Sequence, residues 1–162
     1  MRSAELTPCR TFCVALDDGE DFLPALIDFC TSQGIRSAYL PMFLGGFRST
    51  RLVGTCDPIE NPDAPVWDAV TFEGLEVLGG GTLAWDKEDH ALSPHIHVTV
   101  GLKGQAAEAR TSHLLAGTVQ FISELIVVET HPVLLRPKLG PYAVPTLGFV
   151  GDGGTQPDTR TR

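Results

Sequence analysis

The chain has 162 residues, 43% of them apolar and 20% charged, with a formal net charge of −8. That is one domain's worth of sequence with enough apolar residues for a core, which excludes a wholly disordered chain. No apolar run approaches the roughly 18 residues of a membrane span, and the acidic total counts against autonomous binding to DNA or to anionic membranes, because phosphates are held by clustered Lys and Arg.

Residues 1–9 read as an N-terminal extension without a basic-then-apolar signal pattern, so the expected location is the cytoplasm. Residues 11–16 (TFCVAL) predict a strand that stops at the turn Asp17-Asp18-Gly19. Phe22, Leu26 and Cys30 then recur at i, i+4 and i+8, with Leu23 and Ile27 beside them, which predicts one face of an amphipathic helix. Pro24 fits only in a first turn, so the helix should begin near Asp21 and stop at Gly34. Residues 35–40 predict a strand closed by Pro41. Gly45-Gly46 reads as a break, and Phe47 to Val53 as another strand.

Residues 54–65 are rich in Pro and Gly and read as an irregular loop. Val70 to Leu78 predicts a strand kinked at Gly74, Gly79-Gly80-Gly81 a turn, and Thr82 to Trp85 a returning strand. Residues 86–94 read as a hairpin loop, and His95 to Val100 as a strand with strict alternation. Val119 to Glu129 predicts one long strand, or two with a break near Ser123-Glu124. Past His131-Pro132 the pattern decays, and from Gly151 the composition is that of a disordered tail. The sum is an α+β domain on a largely antiparallel sheet, spanning residues 10–135, followed by an irregular to disordered tail over 136–162. Of the four cysteines, Cys13 and Cys30 read as small core residues, and Cys9 and Cys56 as lying near loops.

The strongest chemical signal is Pro94-His95-Ile96-His97-Val98-Thr99-Val100. Alternate side chains of a strand share a face, so His95, His97 and Thr99 project one way and Ile96, Val98 and Val100 the other. Two imidazoles so placed can reach one metal ion. The polar, Gly-containing stretch that follows can fold back and bring His113 to them, and three neutral imidazoles suit zinc with one position left open. The same spacing also suits exposed histidines on an outward strand face, each bonded to water or a neighbouring carboxylate. His90 and His131 read as solvent-exposed, with either able to stand in for His113.

Glu76, isolated among apolar neighbours, must face solvent or a polar site. Glu124 and Glu129 raise the same question, and Glu124 is read as facing solvent. Trp67 and Trp85 read as core or interface anchors. Arg48 and Arg51 are the only compact basic pair of the folded part. No dinucleotide loop, P-loop or nucleophile elbow is present.

Three segments, FEGLEVLGGGTLAW, PHIHVTVGLKG and TSHLL, together resemble the PPC domain, the plants-and-prokaryotes conserved domain of the prokaryotic stand-alone type. The likeness covers about residues 10 to 130. It implies a compact α/β sandwich with flanking helices, a homotrimer that buries apolar sheet surface, and one zinc per subunit on His95, His97 and His113. It also implies a DNA-associated or regulatory role, although the R-G-R-P hook of the plant members is missing and Arg136-Pro137 is a lone dipeptide.

At fold level the PPC domain is similar to acetolactate decarboxylase. That likeness implies the alternative of a zinc-dependent lyase or hydrolase for a small oxo- or hydroxy-acid. In that reading Glu76 would handle a proton and Arg110 would pair a substrate carboxylate.

Overall fold

In the computed structural model, residues 1–54, 68–105, 108–139 and 143–150 are described. The chain forms β1 (Thr7–Asp17), α1 (Phe22–Ser32), β2 (Ala38–Val53), β3 (Ala69–Asp86), β4 (Ala91–Gly101), β5 (Ala109–His131), β6 (Lys138–Leu139) and β7 (Val144–Pro145). Five strands make one antiparallel sheet in the order β1-β5-β2-β3-β4, and β4 pairs back onto β5. Strands β2 to β5 therefore close a circuit of hydrogen bonds, and β1 is left as the edge. The expected α+β architecture holds, with α1 the one helix among the described residues.

Helix α1 forms where the periodicity places it. Phe22, Leu26 and Cys30 are all fully buried, Pro24 lies in the first turn, and Gly34 takes the left-handed φ of +69° just past the end. The Phe22 ring packs against Phe43 and Phe47 at centroid distances of 4.5 and 5.3 Å. Each such ring contributes roughly 1.5–3 kcal/mol through burial. These rings join the helix to β2 in the core.

Two expected interruptions are absent. Gly45-Gly46 does not break a strand, and Gly79-Gly80-Gly81 is not a turn; both lie inside long strands. A Cβ on Gly45 would meet the Ile122 carbonyl oxygen at 2.4 Å, and one on Gly79 would meet the Phe43 ring at 2.5 Å. These glycines are there because neighbouring backbone and rings come too close for a side chain. Pro41 does not end its strand either, since β2 shifts register between Leu40 and Phe43 and continues. The loop expected over 86–94 shrinks to a turn at residues 87–90.

Strand β5 is irregular a little before the expected point. Phe121 has φ +67°, and the register with β2 slips between Ser123 and Gln120. Cys13 is exposed, not part of the core, because its neighbours Phe12 and Val14, with Leu16, take the inward face of β1 and alternation turns Cys13 outward. Cys30 is buried, as expected, whereas Cys9 is exposed but lies within β1 and not near a loop. Cys56, Trp67, residues 55–65 of the Pro-rich loop and the tail from Gly151 lie outside the described residues.

Past β5 the chain packs along the end of β3. Leu135 bridges both Trp85 and Gly148, the Trp85 and Arg136 amides donate to the Leu134 and Trp85 carbonyls, and Leu134 and Arg136 are buried.

Candidate metal centre

Strict alternation in β4 sends Ile96, Val98 and Val100 into the core and turns His95 and His97 outward. The β4–β5 hairpin then sets His113 directly opposite His97. Facing cross-strand residues hold their Cβ atoms about 5 Å apart, which is the spacing at which two imidazoles can share an ion. The three ring centroids are 5.2, 5.0 and 5.4 Å apart, and one ligand nitrogen from each ring lies within 4.8 Å of the others. Nε2 of His95 and Nε2 of His97 are 3.2 Å apart. A tetrahedral zinc with nitrogens at 2.0–2.1 Å places its ligands about 3.3 Å apart, so this pair already has the required spacing.

The local electrostatics favour the neutral form of His95 and His113. Burial holds the His113 pKa down to about 4, helped by His95, His97 and Arg136. Burial, Arg136 and His97 also lower that of His95. A neutral imidazole offers a lone pair, so both are ready to ligate at pH 7. Among the described residues no Cys, Asp or Glu joins the group. The donor set is thus three imidazoles, which fits zinc with one position open.

The other candidates lie elsewhere. Glu76 is on the triad's side of β3 but four residues from Gly80, the partner of His97, or about 13 Å along the strand. It is exposed and lines a cleft of about 430 Å³ with Gly46, Lys103, Gln105, Gln120 and Phe121. Arg110 is exposed opposite Val100, three residues from His113 and so on the other face of β5. Neither is brought to the triad. His90, His131 and Glu124 are exposed. Glu129 pairs with Arg10 at 2.6 Å.

The residue that sequence reasoning missed is Arg136. Only 2% exposed, it donates from Nη2 to Thr82 Oγ1 at 3.0 Å, and Thr82 is the cross-strand partner of His95. Among the described residues its Nε has no acceptor. In sequence it looked like a loop residue before a proline. The available signal was a lone cation in the apolar stretch Val133-Leu134-Leu135.

The fold has known counterparts. The metal-containing protein from Archaeoglobus fulgidus superposes with a TM-score of 0.74 at 23% identity, covering 90% of this chain and 98% of that one. A candidate DNA-binding protein from Ralstonia eutropha gives a TM-score of 0.69 at 23% identity, covering 85% and 90%. Acetolactate decarboxylase from Bacillus subtilis gives 0.50 at 14% identity, covering 76% of this chain and 54% of the enzyme, a likeness of fold alone. No curated protein matches the sequence. The model of the Plants and Prokaryotes Conserved (PCC) domain matches residues 3–131, and the chain belongs to that family.

Proposed function

We propose that this chain is a cytoplasmic homotrimer that holds one zinc per subunit on His95, His97 and His113 and binds a small molecule at the open position. The observation that carries the reading is the convergence of three imidazole nitrogens within 4.8 Å, with no fourth protein ligand among the described residues. A structural zinc site is closed by four protein ligands; a site that works on a ligand keeps one position free. When bound, the zinc supplies Lewis acidity at that position. The protein's own share is to fix three imidazoles on two hydrogen-bonded strands, where pairing holds their spacing.

The trimer reading is supported by an exposed apolar patch next to the triad. Leu44 and Leu78 face each other across β2 and β3 and are 42% and 55% exposed, and Leu78 pairs with Thr99 on the histidines' face. Phe121, 73% exposed, and Ile122 project from the irregular turn of β5. Apolar surface of this kind marks an interaction face.

A DNA-associated role, suggested by the Ralstonia eutropha neighbour, has less behind it. The net charge is −8. Several cations are also matched by this chain's own acids: Arg48 by Asp18, Arg10 by Glu129, and Lys138 by Asp86 and Asp89.

The test is elemental analysis of tag-free protein, with light scattering on the same sample. About one zinc per chain in a trimer is expected, and His97→Ala should lose the zinc while retaining its far-ultraviolet circular dichroism. Unchanged zinc in that variant would reject the site.

A further inference from the structure

We propose that Arg136 is the receptor for the carboxylate of a small anion bound over the triad, one whose second oxygen reaches the metal position. The inference rests on the zinc reading above and adds the class of ligand.

A guanidinium carries five N–H donors and is almost never fully buried without an anion. Arg136 is 2% exposed. Among the described residues its guanidinium has one acceptor, the neutral hydroxyl of Thr82, and no carboxylate. Nε is buried and unpaired. Leaving such a charge unmatched is costly, and a stability role does not account for it, because a well-packed apolar residue would serve the core as well or better. Its charge is felt at His95 and His113.

A divalent ion on the three imidazoles would therefore stand beside a second fixed cation with no acid between them among the described residues. That arrangement asks for an anion from outside. A carboxylate matches the planar fork of the guanidinium with two parallel hydrogen bonds. A neighbouring hydroxyl or keto oxygen would complete the metal's open position. The simplest molecule with both features is a 2-hydroxy carboxylate such as glycolate.

The experiment is isothermal titration of glycolate into zinc-loaded and metal-free protein, wild type against Arg136→Met, with zinc content and melting temperature measured on both. The expected result is binding to zinc-loaded wild type that weakens about tenfold or more in the variant, the size of one charge-assisted hydrogen bond. The variant should keep its zinc and melt no lower than wild type. Equal glycolate affinities, or no glycolate binding to zinc-loaded wild type, would overturn the proposal.

Should Arg136→Met not fold, Arg136→Lys keeps the charge but loses the fork, and an affinity equal to wild type overturns the proposal in the same way. Should wild type take up no zinc, the metal reading falls by itself. The metal-free titration then decides the guanidinium: heat that depends on Arg136 upholds it, and none overturns it.

Discussion

Replacing Gly81 by Ala should damage the proposed metal centre without touching a histidine. Gly81 sits in β3 opposite Ile96, between His95 and His97 of β4. A Cβ built there would lie 2.2 Å from the His95 carbonyl oxygen and 2.8 Å from the Ile96 Cα. Ordinary contact begins near 3.4 Å, so β4 must retreat by more than 1 Å at the residue that carries the first histidine. Metal sites tolerate about 0.2 Å in ligand distance, several times less than this displacement. Overpacking of this kind costs about 1–3 kcal/mol, and displacing groups that orient ligands weakens metal binding about 10–100-fold. The assay is zinc competition against a chromophoric chelator, with a thermal melt of the metal-free protein. Gly104→Ala is the control, with φ +73° and nothing within 4 Å: it should cost some stability through strain and leave zinc affinity unchanged. A Gly81→Ala protein with wild-type affinity and melting temperature would refute the close-approach argument.

Three further outcomes are expected. His113 has its pKa depressed to about 4 from 6.5, chiefly by burial. The unfolded chain therefore takes up this proton more readily than the folded one. Metal-free protein should have the full benefit above pH 6.5 and lose it as the pH falls toward 4. Urea midpoints at pH 7.5 and 4.5 should differ less in His113→Gln than in wild type, and identical differences would reject the assignment. Phe121→Asp should dissociate the proposed trimer, as light scattering would show, because it puts a charge at the apolar residue that β5 presents at 73% exposure. Phe22→Ala removes a fully buried ring from between Phe43 and Phe47 and should cost about 3–5 kcal/mol. A denaturation midpoint within error of wild type would mean that the helix is not held to the sheet through that ring.

The features legible in the sequence were those with a short period. The β4 alternation and the i, i+4, i+8 face of α1 depend on neighbours a few residues away, so His95, His97 and the buried Phe22, Leu26 and Cys30 could be placed from the string. Glycine runs were misread because a turn and a close strand crossing leave the same mark. What distinguishes Gly79 from a turn residue is the Phe43 ring, 36 positions earlier, that occupies its side-chain space. Cys13 was misplaced for a related reason. The run TFCVAL is too uniformly apolar to say which face is inward, and only the packing of Phe12, Val14 and Leu16 against the core, with Phe12 on Phe29 of α1, decides it. Arg136 was missed because its environment is made by Thr82 and the triad, none of them nearby in sequence.

The charge distribution separates the two functional readings better than the net charge does. At long range a chain of −8 repels a polyanion such as DNA. Over a Debye length of about 8 Å that repulsion fades, and a small anion at the surface meets the local groups instead. Those groups are the three histidines and a guanidinium with no acid partner among the described residues. The paired cations Arg10, Arg48 and Lys138 are held by their own carboxylates and are not free to track a phosphate backbone. A single buried cation beside a metal position selects by charge at one point, which suits a small carboxylate; a nucleic acid needs many such points along its length. The contrast can be measured through salt dependence. Glycolate binding through one guanidinium should change little between 50 and 200 mM salt. A duplex held by several phosphate contacts would lose affinity by orders of magnitude over that range. A steep salt dependence with DNA, and none with glycolate because glycolate does not bind, would reverse the assignment.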